Sequence, residues 1–192
     1  MKRFIVTGAP GCGKTAIIRQ LEHDGFTVVE EAATDVIALE QAQGIAEPWT
    51  CPAFIDAVAN LQKQRQVRAT RKAGEVQFHD RSAFCTVALA RYLGHPRSAA
   101  FELELERVQA EAIFQKRVFF VSNLGFITPT EARRISFEEA LRFERIHEET
   151  YRDFGFEIFP VEPGTVAERV ASIKSGIPKI CHPDRSRSPR RR

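Results

Sequence analysis

Residues 8–15 read Gly8-Ala9-Pro10-Gly11-Cys12-Gly13-Lys14-Thr15, the pattern G-x-x-x-x-G-K-T of a phosphate-binding loop. Few short motifs restrict a fold so strongly, because the loop works only between a strand that delivers it and a helix that leaves it. Both flanks are present. Residues 2–7 form a short apolar strand, and residues 16–23 place Ile17, Ile18 and Leu21 at helical spacing. The glycines let successive backbone N–H groups curl around an anion without Cβ clashes. Lys14 supplies a point charge for the β- and γ-phosphates, and Thr15 offers a hydroxyl to Mg²⁺. The helix that follows adds its positive N-terminus. Gly8, Ala9, Pro10, Gly11, Cys12, Gly13, Lys14, Thr15 and Ala16 are therefore the expected nucleotide-binding residues, with ATP and Mg²⁺ as ligands.

The rest of the chain continues the alternation. Strands are expected at 26–30, 76–80, 117–122 and 157–161, and helices at 31–43, 53–73, 83–93, 98–116, 136–154 and 165–174. Ser136 and Glu139 are spaced as a capping box. Five strands separated by helices imply an α/β fold, a doubly wound five-stranded parallel sheet with helices on both faces. With 43% hydrophobic residues, the chain has enough apolar mass for such a core. One domain is expected over 1–178, followed by a basic tail at 179–192.

The net charge of +3 conceals an asymmetry. The last eight residues hold five arginines and no acid, so the body is slightly acidic. Such a tail is expected to be disordered. It is the sole expected route to nucleic acid or acidic lipid; a solubilising or cloning-scar end is the other reading. No run of 18 apolar residues is present, so no membrane span is expected. Cys12, Cys51, Cys85 and Cys181 lack C-x-x-C spacing and read as free thiols of a cytoplasmic protein.

In a parallel sheet, ligands sit beyond the carboxyl ends of the strands. That edge collects Glu30-Glu31, Asp80-Arg81 and Ser122-Asn123 beside the loop. Phosphoryl transfer needs charge on a metal, positive charge on the migrating group and an orienting group for the nucleophile. Asp80 is the expected metal partner together with Thr15, and Arg81 the expected phosphate contact. Adjacent strand residues point oppositely, so only one of Glu30 and Glu31 faces the site. Glu31 is preferred, as general base; an acid placed for the helix dipole is the competing reading. Arg133 and Arg134 fall where a lid closes over donor phosphates, with Arg133 expected to act on the transition state. Trp49 reads either as a stacking platform for a base or as packing. His79 alternates away from Asp80 and is expected to pack, and the other histidines show no metal-ligand spacing.

Together these segments resemble the NadR-like branch of the P-loop NTPases, grouped with AAA domains and related to ribosylnicotinamide and nucleoside kinases. The resemblance covers about residues 1–175. It rests on the loop, Val28-Val29-Glu30-Glu31-Ala32-Ala33, Phe78-His79-Asp80-Arg81, Leu89-Ala90-Arg91-Tyr92-Leu93-Gly94, Glu131-Ala132-Arg133-Arg134, Ser136-Phe137-Glu138-Glu139-Ala140, and Tyr151 with Gly155-Phe156-Glu157. Asp80-Arg81-Ser82 is similar to the acid-Arg-Ser motif of deoxynucleoside kinases, which implies a base at Glu31 and a phosphoryl contact at Arg81. Thr34 departs from the arginine common after Glu-Ala-Ala, and Ala16 from a threonine. The resulting expectation is a small-molecule kinase acting on a nucleoside-like hydroxyl, with Lys14, Glu31, Asp80, Arg81 and Arg133 as catalytic residues. The alternative is a nucleotide-responsive ATPase or GTPase switch without a phosphoacceptor.

Overall fold

The computed structural model describes residues 1–72, 74–124 and 136–178. Five strands, β1 (Lys2–Gly8), β2 (Thr27–Val29), β3 (Val76–Asp80), β4 (Arg117–Val121) and β5 (Glu157–Val161), form one parallel sheet in the order β2-β3-β1-β4-β5. The crossover from β1 runs to the β3 side of the sheet and the crossover from β3 runs to the β4 side, which makes the end of β1 the topological switch point. The phosphate-binding loop starts there.

Two helices, α1 (Lys14–His23) and α7 (Val166–Ser175), pack together on one face. Their core partners are Phe4 and Val6 of β1, Phe78 of β3, and Phe119 and Val121 of β4. The intervening residues Ile5 and Val118 point to the opposite face. There they meet α2 (Ala33–Ala42), α3 (Ala53–Ala69), α4 (Ala83–Leu93), α5 (Ala99–Ala110) and α6 (Phe137–Asp153). The period of two along each strand thus feeds two separate cores, as in a sheet covered on both sides.

Most element boundaries follow local chemistry. Gly94 closes α4 in the left-handed conformation at φ 72°, and Ser136 with Glu139 makes both bonds of a capping box at the start of α6. Thr165 and Glu168 repeat that box on α7. The helix expected at 98–116 stops at Ala110: Ala112 takes φ 44°, and Ile113 and Phe114 turn into the core. Burial of two large apolar side chains outweighs continuation of the helix. Similarly, α3 ends at Ala69 rather than 73, and α2 starts at Ala33. A short 3-10 helix, Pro48–Thr50, was not expected; Trp49 within it packs against the larger core and its carbonyl lies 2.8 Å from His95 Nε2, so its role is packing.

Gly8 permits a close approach of β1 to β4. A Cβ there would lie 2.4 Å from the Val121 carbonyl oxygen, at a φ of 146°. Gly8→Ala is expected to destabilise the protein by roughly 2 kcal/mol or more, seen as a lower urea midpoint; an unchanged midpoint would contradict that close approach between the paired strands.

Candidate active site

The loop's last glycine, Gly13, is the N-cap of α1 in the left-handed region, with φ 78°. The helix therefore begins at Lys14, two residues earlier than expected, and Lys14 and Thr15 occupy its first turn. No side chain caps this N-terminus, so its amide donors are left for an anion.

Lys14 is buried and its Nζ lies 3.0 Å from Asp80 Oδ1 at the end of β3. The ladder register Val6↔Asp80 puts this carboxylate beside the base of the loop. That Asp80 oxygen is fully buried and, Lys14 apart, meets no hydrogen-bond donor among the described residues, whereas Thr15 is an exposed residue. A hydroxyl facing outward near a buried acid with spare acceptor capacity suits Mg²⁺, which keeps several waters and takes few protein ligands. Among the described residues no cluster of three or more His, Cys, Asp or Glu side chains forms a denser metal site.

Arg81 follows with φ 69°, uncommon for a residue with a side chain, while its N–H still donates to the Val6 carbonyl at 3.0 Å. The kinked backbone turns the guanidinium back toward β2. Its Nε sits 2.7 Å from Glu31 Oε1, and its Nη1 lies 3.2 Å from His147 Nε2 on α6. His147 Nδ1 lies 3.0 Å from the Phe143 carbonyl and donates to it, which leaves Nε2 to accept from Arg81. Burial, then the Arg81 charge, holds the His147 pKa down to about 3, so the ring is neutral and suited to that acceptor role.

Glu31 and Glu30 diverge. Glu30 turns outward to Arg19 at 2.8 Å. Glu31 turns inward, accepts from Thr34 Oγ1 at 3.1 Å, and has its carbonyl held by Arg65 of α3, which also binds Asp35. Burial raises the Glu31 pKa, but Arg81 and Lys14 together outweigh it and hold the carboxyl at about 2. Beneath this group runs a buried chain: Thr7 Oγ1 to Cys85 Sγ at 3.1 Å, Cys85 Sγ to Tyr151 Oη at 2.9 Å, and Tyr151 Oη to Ser82 Oγ at 3.0 Å. Burial first, then Cys85, pushes the Tyr151 pKa up, so it remains a donor. A small, mainly apolar cavity behind Asp80, Arg81 and Ser82 is lined also by Gln62 and Lys63 of α3, His79 and Phe114, and not by Glu31, Lys14 or the loop. Gln62 Oε1 accepts from Thr86 at 2.7 Å, while its buried Nε2 has no hydrogen-bond partner among the described residues.

The structure thus brings Lys14, Glu31, Asp80 and Arg81 together at one sheet edge. Arg133 and Arg134 lie outside the described residues, as does the Arg-rich tail. Arg65 and His147 were not expected here; Arg65 reads in the sequence as part of the basic outer end of its helix. His79 lies on the other face from Asp80, 2.9 Å from Gln77 Oε1 and edge-on to Phe114, and burial pushes its pKa down to about 3.

These values fix an acid response. A folded pKa below the unfolded one gives stability that is present above the unfolded value and lost as pH falls toward the folded value. For His79 and His147 the window runs from 6.5 down to about 3, and for Glu31 from 4.5 down to about 2. Stability is expected to fall below pH 6.5 by about 1.4 kcal/mol per pH unit for each histidine. Urea midpoints at pH 7 and pH 5 test this; equal midpoints would contradict it.

Comparison with known proteins agrees with the geometry. A family model described as AAA domain matches residues 3–169. No curated protein matches the chain. Among solved structures, a deoxyadenosine kinase from M. mycoides with product dCMP and a flexible dCDP superposes with a TM-score of 0.62, at 14% identity over 90% of this chain and 97% of that one. The same enzyme with bound dATP gives 0.53 at 13% identity, again over 90% and 97% of the two chains. NadR in complex with NAD and AMP-PNP gives 0.65 at 17% identity over 94% of this chain; the match spans 52% of the NadR chain, about half its length. At these identities the likeness is one of fold.

Proposed function

The chain belongs to the AAA-domain family of P-loop proteins, and on that premise we propose that it is a small-molecule kinase that moves the γ-phosphoryl group of ATP to a hydroxyl of a nucleoside-like acceptor. The observation that carries this reading is the placement of the Glu31–Arg81 ion pair beside the Lys14–Asp80 pair, at one edge of the sheet. A bare phosphate switch has no use for a carboxylate held ionised opposite its cradle.

The donor phosphates lie in the loop from Gly8 to Ala16, against its amides and Lys14. Thr15 and Asp80 would hold Mg²⁺, which would supply charge neutralisation on the phosphates. Lys14 and Asp80 neutralise one another without ligand, and each exchanges that partner for one of opposite sign on the incoming nucleotide and metal. The acceptor lies beside Glu31 and Arg81, across from the donor phosphates. Glu31 accepts a hydrogen bond from the acceptor hydroxyl. As the new O–P bond forms and the bond to the β-phosphate oxygen breaks, the hydroxyl proton passes to Glu31 and ADP leaves. A carboxylate with a pKa near 2 is a weak base, but a loose transition state asks for an oriented nucleophile and takes its proton late. Arg81, with Arg133, neutralises the migrating group.

Transfer of label from γ-labelled ATP to a pooled set of nucleosides tests the reading. A labelled monophosphate is expected from the wild type and none from Asp80→Ala. Label appearing solely as inorganic phosphate would overturn the kinase and favour the switch.

Lys14→Ala is expected to weaken ATP binding at least 100-fold as measured by titration calorimetry, and retained affinity in the presence of Mg²⁺ would sink the assignment of the loop.

A further inference from the structure

Arg169, on α7, is one of the most buried charged residues in the fold, at 3% exposure. Its Nη1 donates to the Cys12 carbonyl at 2.8 Å and its Nη2 to the Ser122 carbonyl at 3.0 Å. Among the described residues no carboxylate pairs with it, and its buried Nε meets no acceptor. Desolvation lowers its pKa, yet an arginine remains charged in proteins. A buried cation without a counter-ion is costly and is retained where something else supplies the negative charge.

The location shows what does. Cys12 lies inside the phosphate-binding loop, and Nη1 sits 3.1 Å from where a side chain on Gly13 would begin. The Cys12–Gly13 peptide is trans, so it has its C=O and N–H on opposite sides. With the Cys12 oxygen turned outward to Arg169, the Gly13 N–H is turned inward, toward the cradle. A cationic donor on the oxygen also polarises that peptide and strengthens its N–H as a donor to an anion. The second bond, to Ser122 just beyond β4, fixes the guanidinium to the strand whose Val121 pairs with Gly8. The arginine is thus braced against the rigid sheet rather than against the loop alone.

We propose that Arg169 is a positioning residue of the phosphate site, a fixed positive charge one peptide behind the loop whose counter-ion is the polyphosphate of the bound nucleotide. It touches no ligand; it acts through the Cys12–Gly13 peptide and through its field. The inference rests on the loop being a nucleotide site. It predicts that the contribution of Arg169 grows with the negative charge of the ligand, and that a cation of another shape preserves most of it.

Titration calorimetry of ATP, ADP and AMP against the wild type, Arg169→Gln and Arg169→Lys is the test, with melting temperatures recorded in parallel. Arg169→Gln is expected to lose at least tenfold in ATP affinity, less for ADP and least for AMP. Arg169→Lys is expected to stay within about threefold of the wild type for ATP. Unchanged ATP affinity in Arg169→Gln, or an equal loss for all three nucleotides, would overturn the proposal. If Arg169→Gln does not fold, Arg169→Lys decides alone: a loss above tenfold would overturn it, because the charge is still there. A wild type that binds no ATP would instead refute the nucleotide reading beneath it.

Discussion

Glu31→Gln is expected to lower acceptor-dependent turnover by about 10²–10⁴-fold, the range over which a positioned acid–base group acts. The amide keeps the shape of the carboxylate and one oxygen for Arg81, and its NH₂ group donates to the Thr34 hydroxyl that had donated to the other oxygen, so the fold is retained. What disappears is the charge that draws the acceptor proton. ATP affinity is expected to hold or to tighten, since one negative charge leaves the surroundings of the phosphates. The split is informative: lower kcat with intact ATP binding marks a group engaged in the transition state. A variant with normal turnover would show that Glu31 serves only as the partner of Arg81.

Arg81→Gly is expected to cost about 10²–10³-fold in kcat/KM, with a loss of stability as well, because the buried Glu31 carboxylate loses its main partner. The native residue holds φ 69°, and glycine relieves that strain. Against the relief stand a lost contact to Glu31 and a His147 acceptor left without its donor. Strain retained where glycine would fit is a mark of a working side chain. Arg81→Lys tests the geometry from the other direction. An ammonium keeps the charge but cannot reach Glu31 and His147 at once as a planar fork does, so activity is expected to stay well below wild type. Full activity in Arg81→Lys would reduce Arg81 to a point charge, and a Gly variant that folds with normal kcat/KM would make it a structural residue instead.

The parts of this site that are legible in the sequence are those set by neighbouring residues. The loop with its flanking strand and helix, the capping box at Ser136 and the terminal glycine at Gly94 each depend on a handful of positions. The parallel sheet follows from the alternation of such segments. The choice between Glu30 and Glu31 was narrowed by strand alternation alone, and what separates them physically is Arg19 outside against Arg81 inside. The supporting side chains are a different case. Arg65 reaches the Glu31 carbonyl across 34 residues, His147 reaches Arg81 across 66, and Arg169 reaches Cys12 across 157. No local pattern marks such pairs: each residue looks like an ordinary polar position on its own helix until the sheet brings it to the same edge. Helix ends failed for the related reason that tertiary burial decides them, as Ile113 and Phe114 show by ending α5 early.

The central claim is that the loop is the donor half of a phosphotransfer site. The rate of ATP consumption by the wild-type chain with Mg²⁺, measured singly against a panel of nucleosides and related alcohols, tests it most directly. One acceptor is expected to raise the rate at least tenfold, with the rise absent in Glu31→Gln although that variant still binds ATP. Slow hydrolysis, the same with every acceptor as with none, would contradict the account.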